Sequence, residues 1–114
     1  GIVCRNAAGF AVEGSTAVNL VGMGVAQARV DNASGADGDQ TVLFEAGIWN
    51  FRNSAAADEI TQADVGAVCF VVDDQTVAKT DGGATRSPAG TIDQVDDAGV
   101  WVRFDEALTL AASA

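Results

Sequence analysis

Short apolar runs broken by turn-forming residues are the feature that most restricts what this chain can fold into. Runs such as "FAVEG", "TVLFEAGIWNF" and "GVWVRF" alternate from residue to residue, and clusters of Gly, Asn, Asp and Ser separate them. Alternation with a period of two is typical of half-buried strands. Roughly eight such runs with almost no helical pattern predict an all-β fold, a compact small barrel or sandwich of short antiparallel strands with minimal helix.

Four turn signals divide these runs into strand pairs. The sequence predicts turns at residues 6–9, 46–47, 73–75 and 97–99, each between two strand-like segments. Glycine or aspartate in a short connector between alternating runs is the expected signal of a hairpin. The clearest of the four is "TVLFEAGIWNFRN", for which we predict a hairpin turning at residues 46–47.

Two other segments are less regular. In the apolar run over residues 20–30, Gly22 and Gly24 either weaken a helix or mark a bend or a close approach of another backbone in a strand, and we favour the strand. Residues 61–64 predict a single helical turn capped by Thr61.

The length of 114 residues predicts one domain. We expect a single β domain over residues 1–106, followed by a tail over residues 107–114 that packs or frays. Since the chain begins at Gly1 without an initiator Met, already in a strand-like run, we also expect a segment upstream of residue 1.

The composition excludes several classes of function. The chain has 16 acidic and 6 basic residues, a net charge of −10, and no histidine. Such a surface repels phosphate, so we expect no binding to nucleic acid or anionic membranes, and no apolar run is long enough to span a bilayer. The 48% of apolar residues is rich in Ala and Val, which predicts a thin core and favours a homo-oligomer. The residues expected to pin that core are Phe10, Phe44, Trp49, Phe51, Phe70, Trp101 and Phe104.

The residues that could carry chemistry have simpler structural interpretations. Cys4 and Cys69 lie in Val-rich runs, which favours buried free thiols, with a disulfide as the alternative. Adjacent residues of a strand point to opposite faces, so the pairs at 73–74 and 96–97 predict turns rather than carboxylate sites. The loop containing Asp31, Asn32, Asp37 and Asp39 does not have the spacing of a calcium-binding EF-hand. We therefore expect no enzymatic activity, no metal and no cofactor; a small β enzyme with Asp73 or Asp96 as base is the least favoured alternative.

Large side chains on both faces of the strands predict that some of them lie in an interface. Aromatic and arginine side chains are the usual anchors of such surfaces. The candidate interface residues are Trp49, Phe51, Arg52, Trp101 and Arg103.

Several stretches, taken in order, resemble one protein family. They include "VGMG", "RVDNASGADG", "ADVG" before an apolar strand, "VDDQTVAKT" and the terminal "GVWVRF". Together they resemble the small capsid cement, or head decoration, proteins of tailed phages and prophages, and the resemblance covers nearly the whole chain. It implies a small β-rich protein, trimeric in many members, that binds the outside of the phage shell. It also implies an N-terminal capsid-binding arm upstream of residue 1.

The resemblance implies a non-enzymatic virion protein that clamps neighbouring subunits of the major capsid protein from the exterior. Such a protein is made in the cytoplasm of the bacterial host. The alternative is another phage structural β-module, such as a part of the tail tube, a spike or the base of a head fibre.

Overall fold

The computed structural model describes residues 1–26 and 44–113 of the chain. Within these residues it contains nine strands, two short 3-10 helices and one α-helix. The strands are β1 (Ile2–Arg5), β2 (Ala11–Glu13), β3 (Val21–Ala26), β4 (Phe44–Glu45), β5 (Gly47–Phe51), β6 (Val68–Asp73), β7 (Thr76–Ala78), β8 (Pro88–Asp96) and β9 (Gly99–Phe104). The 3-10 helices are Ala56–Asp58 and Gln62–Asp64, and the α-helix is α1 (Glu106–Ser113).

The all-β prediction is confirmed by two antiparallel sheets. The first has the strand order β2-β1-β3-β4, and the second has the order β5-β9-β8-β6-β7. The second sheet also curls toward closure, because Arg52 forms a parallel bridge to Thr76 beyond the end of β5. Two backbone hydrogen bonds make this bridge, from the Arg52 N–H to the Gln75 carbonyl at 2.9 Å and from the Val77 N–H to the Arg52 carbonyl at 3.0 Å.

Three of the four predicted strand–turn–strand units are confirmed. β1 pairs with β2, β6 with β7, and β8 with β9, in each case across the turn that the sequence predicted. Gly99 closes the last turn with a φ of +128°, in a region of backbone conformation that favours glycine.

The predicted hairpin that turns at residues 46–47 is wrong. β4 pairs with β3 in the first sheet, whereas β5 pairs with β9 in the second. Residues 46–47 therefore carry the chain from one sheet to the other. Of the predicted strand over residues 20–30, the structure confirms Val21–Ala26. Leu20 precedes the strand, and residues 27–30 and the candidate calcium loop lie outside the described residues.

The core lies between the two sheets and within the curl of the second. Its aromatic centre is the pair Phe51 and Phe104, whose ring centroids lie 5.6 Å apart in an edge-to-face arrangement. Phe10 and Phe44 are exposed instead, so the prediction that they belong to the core is wrong. Small β-branched side chains fill most of the remaining space; buried core members include Ile2, Ile60, Val71, Val77, Val100 and Val102.

The two cysteines are buried free thiols, as the Val-rich runs predicted. Burial raises the pKa of both thiols to about 12, because the thiolate would lose its hydration. Neither thiolate is populated near neutral pH, so both side chains act as small apolar residues of the core.

Of the helical elements, the turn near Thr61 was predicted from the sequence and α1 was not. The Gln62–Asp64 turn has the predicted cap: the Thr61 N–H donates to the Asp64 carboxylate at 2.8 Å in a capping box. The chain after β9 forms α1, an eight-residue helix whose first turn is capped by Asp105 through the Leu108 N–H. It packs mainly against β8 and β3.

Candidate interaction surface

The register of three strands places a distinct set of side chains on the outer face of the second sheet. Ile48 pairs with Arg103, and Asn50 pairs with Trp101. On the other side of β9, Trp101 pairs with Gln94. Paired residues of an antiparallel ladder share a face, so these five side chains form one surface, which we call the Trp101 face.

The Trp101 ring is half-buried and held by the hairpin beside it. Its indole N–H donates to the Asp96 carboxylate at 2.9 Å, and the Gln94 amide donates to the same oxygen at 2.9 Å. The other oxygen of Asp96 accepts from the Ala98 N–H at 2.9 Å. The Ala98 N–H first, and then the indole and the amide, hold the pKa of Asp96 below its usual range. Asp96 is thus a charged turn residue that fixes the orientation of the Trp101 ring.

Two arginines lie at the margins of this face. The Arg103 guanidinium donates to Asp93 at 3.1 Å, and its side chain is about half exposed. Arg52 follows β5, is exposed, and forms no ion pair with the described residues. An arginine that is exposed and uncommitted loses little by binding a partner's carboxylate, and its planar fork suits bidentate pairing.

The candidate interface residues divide between the two faces of the sheet. Trp101, Arg103 and Arg52 are accessible from outside, and β5 adds Ile48, which sequence reasoning missed. Phe51 is 5% exposed and belongs to the core, and Trp49 packs against that core while its indole N–H donates to the Ala46 carbonyl. The pairing of Trp49 with Val102, a buried residue, is the structural reason for its inward position.

The adjacent carboxylates at 73–74 form a turn, as predicted. The Asp73 carboxylate accepts from the Gln75 N–H at 2.8 Å, and the Asp74 carbonyl accepts from the Ile2 N–H at 2.7 Å. Their hydrogen bonds hold the β6–β7 hairpin and join it to β1.

Ser87 is buried between the sheets. Its hydroxyl donates to the Ala17 carbonyl at 2.6 Å and accepts from the Leu20 N–H at 2.9 Å.

A groove opens between α1 and the turn that precedes β6. Its volume is about 310 Å³, and Arg103 belongs both to this groove and to the Trp101 face. We call it the α1 groove. Its lining residues are Val65, Gly66, Thr91, Ile92, Asp93, Arg103, Leu108 and Ala112.

Residues 1–26 and 44–113 hold no group of three or more His, Cys, Asp or Glu side chains placed to bind a metal. No helix in this part of the chain has the length and apolar character needed to cross a membrane.

Comparison of the chain with models of protein families, with curated proteins and with solved structures gives no match.

Proposed function

We propose that this chain is a non-enzymatic virion structural protein that binds the exterior of a phage capsid and stabilises the lattice of the major capsid protein. The observation that carries the proposal is the Trp101 face, an aromatic and arginine surface on a rigid sheet. It accompanies the resemblance of the sequence to capsid cement proteins.

The composition of the Trp101 face supports a binding role. The face contains a half-buried tryptophan, an exposed isoleucine and Arg103, and Arg52 lies at its margin. Aromatic and arginine side chains are the residue types that anchor protein interfaces. Asp96 orients the tryptophan ring before any partner arrives, so binding would cost less side-chain entropy there.

A cement protein stabilises a shell by mass action. Because it binds the assembled lattice and not the separated subunits, every occupied site favours the lattice. A copy that contacts two neighbouring subunits, or is itself a homo-oligomer with the trimer favoured, gains further through avidity. The net charge of −10 suits a position outside the shell, away from packaged DNA.

The proposal is tested by mixing the purified chain with expanded shells made of the major capsid protein alone. We expect the chain to co-sediment with the shells and to raise their melting temperature. Ile48→Glu should reduce binding at least tenfold, because it replaces an exposed apolar side chain of the face with a charge. Val18→Glu is the matched control: Val18 is 52% exposed and lies outside the Trp101 face, so its variant should bind as the wild type does.

The possible results distinguish an error in the proposed function from an error in the proposed binding surface. If the wild-type chain does not bind the shells, the proposed function is wrong. If it binds and Ile48→Glu binds equally well, the function stands but another surface meets the capsid.

A further inference from the structure

The outer edge of β5 carries backbone groups that no other strand of the sheet uses. In an antiparallel ladder, the N–H and C=O groups of successive residues point to opposite sides of the strand. The Arg52 backbone bonds to β7 and to the residue before it, whereas the Phe51 carbonyl lies against Gly99 of β9. By the same alternation, the N–H and C=O groups of Ile48 and Asn50 point away from β9, and they form no hydrogen bond with the described part of the chain. They leave two donors and two acceptors along an open edge.

The other outer strands of the two sheets are short, charged or already bonded. β2 has three residues and includes Glu13, and β4 has two residues and includes Glu45. The edge of β7 is bonded by Arg52. Natural sheets protect their edges with charge, proline or a bulge. Gly47–Phe51 contains no charge or proline and pairs with β9 in continuous register, so among the described edges that of β5 is the one open to an added strand.

Apolar side chains lie beside this edge on the Trp101 face. Ile48 is 42% exposed, and Trp101 lies one strand further in, opposite Asn50. A strand added to β5 would continue the sheet, so its outward side chains would lie next to Ile48 and extend the Trp101 face. An extended segment with an apolar residue at this point would cover Ile48 and satisfy the open backbone groups together.

The charge that this segment should carry follows from Arg52. Within residues 1–26 and 44–113, Arg52 is the only basic residue without an ion pair, and its side chain is exposed. It follows β5 directly, at the end of the open edge. A carboxylate on the added strand can pair with Arg52 without displacing an existing partner.

A second copy of the chain does not offer that carboxylate. Only residues that point outward can pair across the edge, so two antiparallel copies of β5 would align Ile48 or Asn50 with Ile48 or Asn50. Arg52 would then lie opposite residue 44, 46 or 48 of the other copy, and all three are uncharged. Two chains with a net charge of −10 also repel each other. The edge therefore suits a different protein.

We propose that the β5 edge binds a short extended segment of the major capsid protein as an added strand, with an apolar side chain beside Ile48 and a carboxylate beside Arg52. This inference rests on the proposed function and names a backbone contact that accompanies the Trp101 face. The added strand ends at Arg52, whose backbone is already bonded to β7. Because only two residues of β5 offer free backbone groups, the strand sets the orientation of the contact and the Trp101 face supplies most of its area.

Amide hydrogen exchange, resolved to single residues, tests the inference on the chain alone and on the chain bound to expanded shells of the major capsid protein. In the free chain, we expect the Ile48 and Asn50 amides to exchange much faster than those of Trp49 and Phe51, which point toward β9. On the shells, exchange at Ile48 and Asn50 should slow by about tenfold or more, because both amides become bonded.

Two substitutions at one position separate the backbone from the side chain. Asn50→Pro removes an edge N–H that β9 does not use, and proline is tolerated on edge strands. It should weaken shell binding by about tenfold or more, whereas Asn50→Ala keeps the N–H and should bind nearly as the wild type does. Circular dichroism checks that both variants are folded.

A second pair of variants tests the charge of the segment. Arg52→Gln should weaken shell binding several-fold, because the carboxylate of the added strand loses its partner. Lys79→Gln removes the same charge from a residue that pairs with Asp64 and should bind as the wild type does. Equal effects of the two variants would contradict a carboxylate beside Arg52.

The results distinguish the inference from the proposed function. If the wild type binds the shells and the Ile48 and Asn50 amides exchange as in the free chain, the inference is overturned and the proposed function stands. If the wild type does not bind the shells, both are wrong. Slow exchange of these amides in the free chain at high concentration would overturn the inference in favour of pairing between two copies. Equal shell binding by Asn50→Pro and Asn50→Ala would also contradict an added strand.

Discussion

Gly22 of β3 lies directly against the backbone of Ala89 in β8, so closely that a Cβ atom built on Gly22 would overlap the Ala89 carbonyl oxygen. The two residues belong to different sheets, and both are buried. Their contact sets the distance between the sheets at this point, because backbone cannot move aside as a flexible side chain can.

Gly22→Ala should therefore be strongly destabilising. We expect a loss of about 2 kcal/mol or more in the free energy of unfolding, because the methyl group forces the sheets apart. Urea denaturation monitored by tryptophan fluorescence measures this.

Gly83→Ala is the control for that experiment. Gly83 has open space around it but a φ of +72°, so alanine there meets only backbone strain of about 1 kcal/mol. A Gly22→Ala variant no less stable than Gly83→Ala would contradict the close packing of the two sheets.

Ser87→Ala tests a second link between the sheets. The variant leaves the Ala17 carbonyl and the Leu20 N–H without the hydroxyl that both now bond. We expect a loss of about 2 kcal/mol, the usual cost of stranding buried polar groups. Ser113→Ala removes an exposed hydroxyl on α1 and should change the free energy of unfolding by less than about 0.5 kcal/mol. Equal effects of the two variants would show that the Ser87 hydroxyl is not structural.

Thr109→Val should stabilise the protein. Within the described structure, the Thr109 hydroxyl oxygen is buried and has no hydrogen-bond partner. Valine has nearly the same shape without the polar atom, so we expect a gain of about 1 kcal/mol in thermal or chemical denaturation. Thr109→Ser keeps the hydroxyl, deletes a methyl group and should cost about 1 kcal/mol. A valine variant less stable than the wild type would be inconsistent with the packing of α1.

The stability of the fold should fall in acid. The pKa of Asp58 is lowered by its hydrogen bond from Thr80 and then by Arg86, and that of Asp64 by the Thr61 N–H and then by Lys79. The pKa of Asp96 is lowered by the hydrogen bonds described above. A carboxyl group whose pKa is lower in the folded state stabilises fully above its unfolded pKa of about 3.9 and loses that contribution as pH falls through the folded value.

Denaturation midpoints between about pH 5 and pH 2 measure this loss. We expect Asp96→Asn to be less stable than the wild type at pH 5 and to lose less stability on acidification. The prediction of acid destabilisation is wrong if the denaturation midpoint of the wild type does not decrease as the pH is lowered below about 4.

Local signals in the sequence were sufficient for the hairpins but not for the order of strands. The turns at 6–9, 73–75 and 97–99 each join strands that pair with each other, so a few adjacent residues determine them. The turn at 46–47 has the same kind of sequence, yet its two flanking strands pair with β3 and β9. A connector between sheets and a hairpin share one alternation pattern, and only distant pairing distinguishes them.

For the same reason, the sequence predicts the part of the candidate surface that lies on β9 but not the part that lies on β5. Alternation along β9 predicts that Trp101 and Arg103 face away from Val100 and Val102, as the structure shows. Alternation within β5 does not say which of its faces is buried. The pairing of Trp49 with Val102 and of Phe51 with Val100 decides that, and it joins segments about 50 residues apart. The groove between α1 and the turn before β6 does not follow from a local pattern either.

Cryo-electron microscopy of the virus particle that contains this chain tests the central claim most directly. We predict ordered density for the chain on the outer surface of the shell, repeated at equivalent lattice positions, with the Trp101 face against the major capsid protein. The copy number should scale with the number of capsid subunits. A shell without this density, or a few copies confined to a vertex or the tail, would contradict the account.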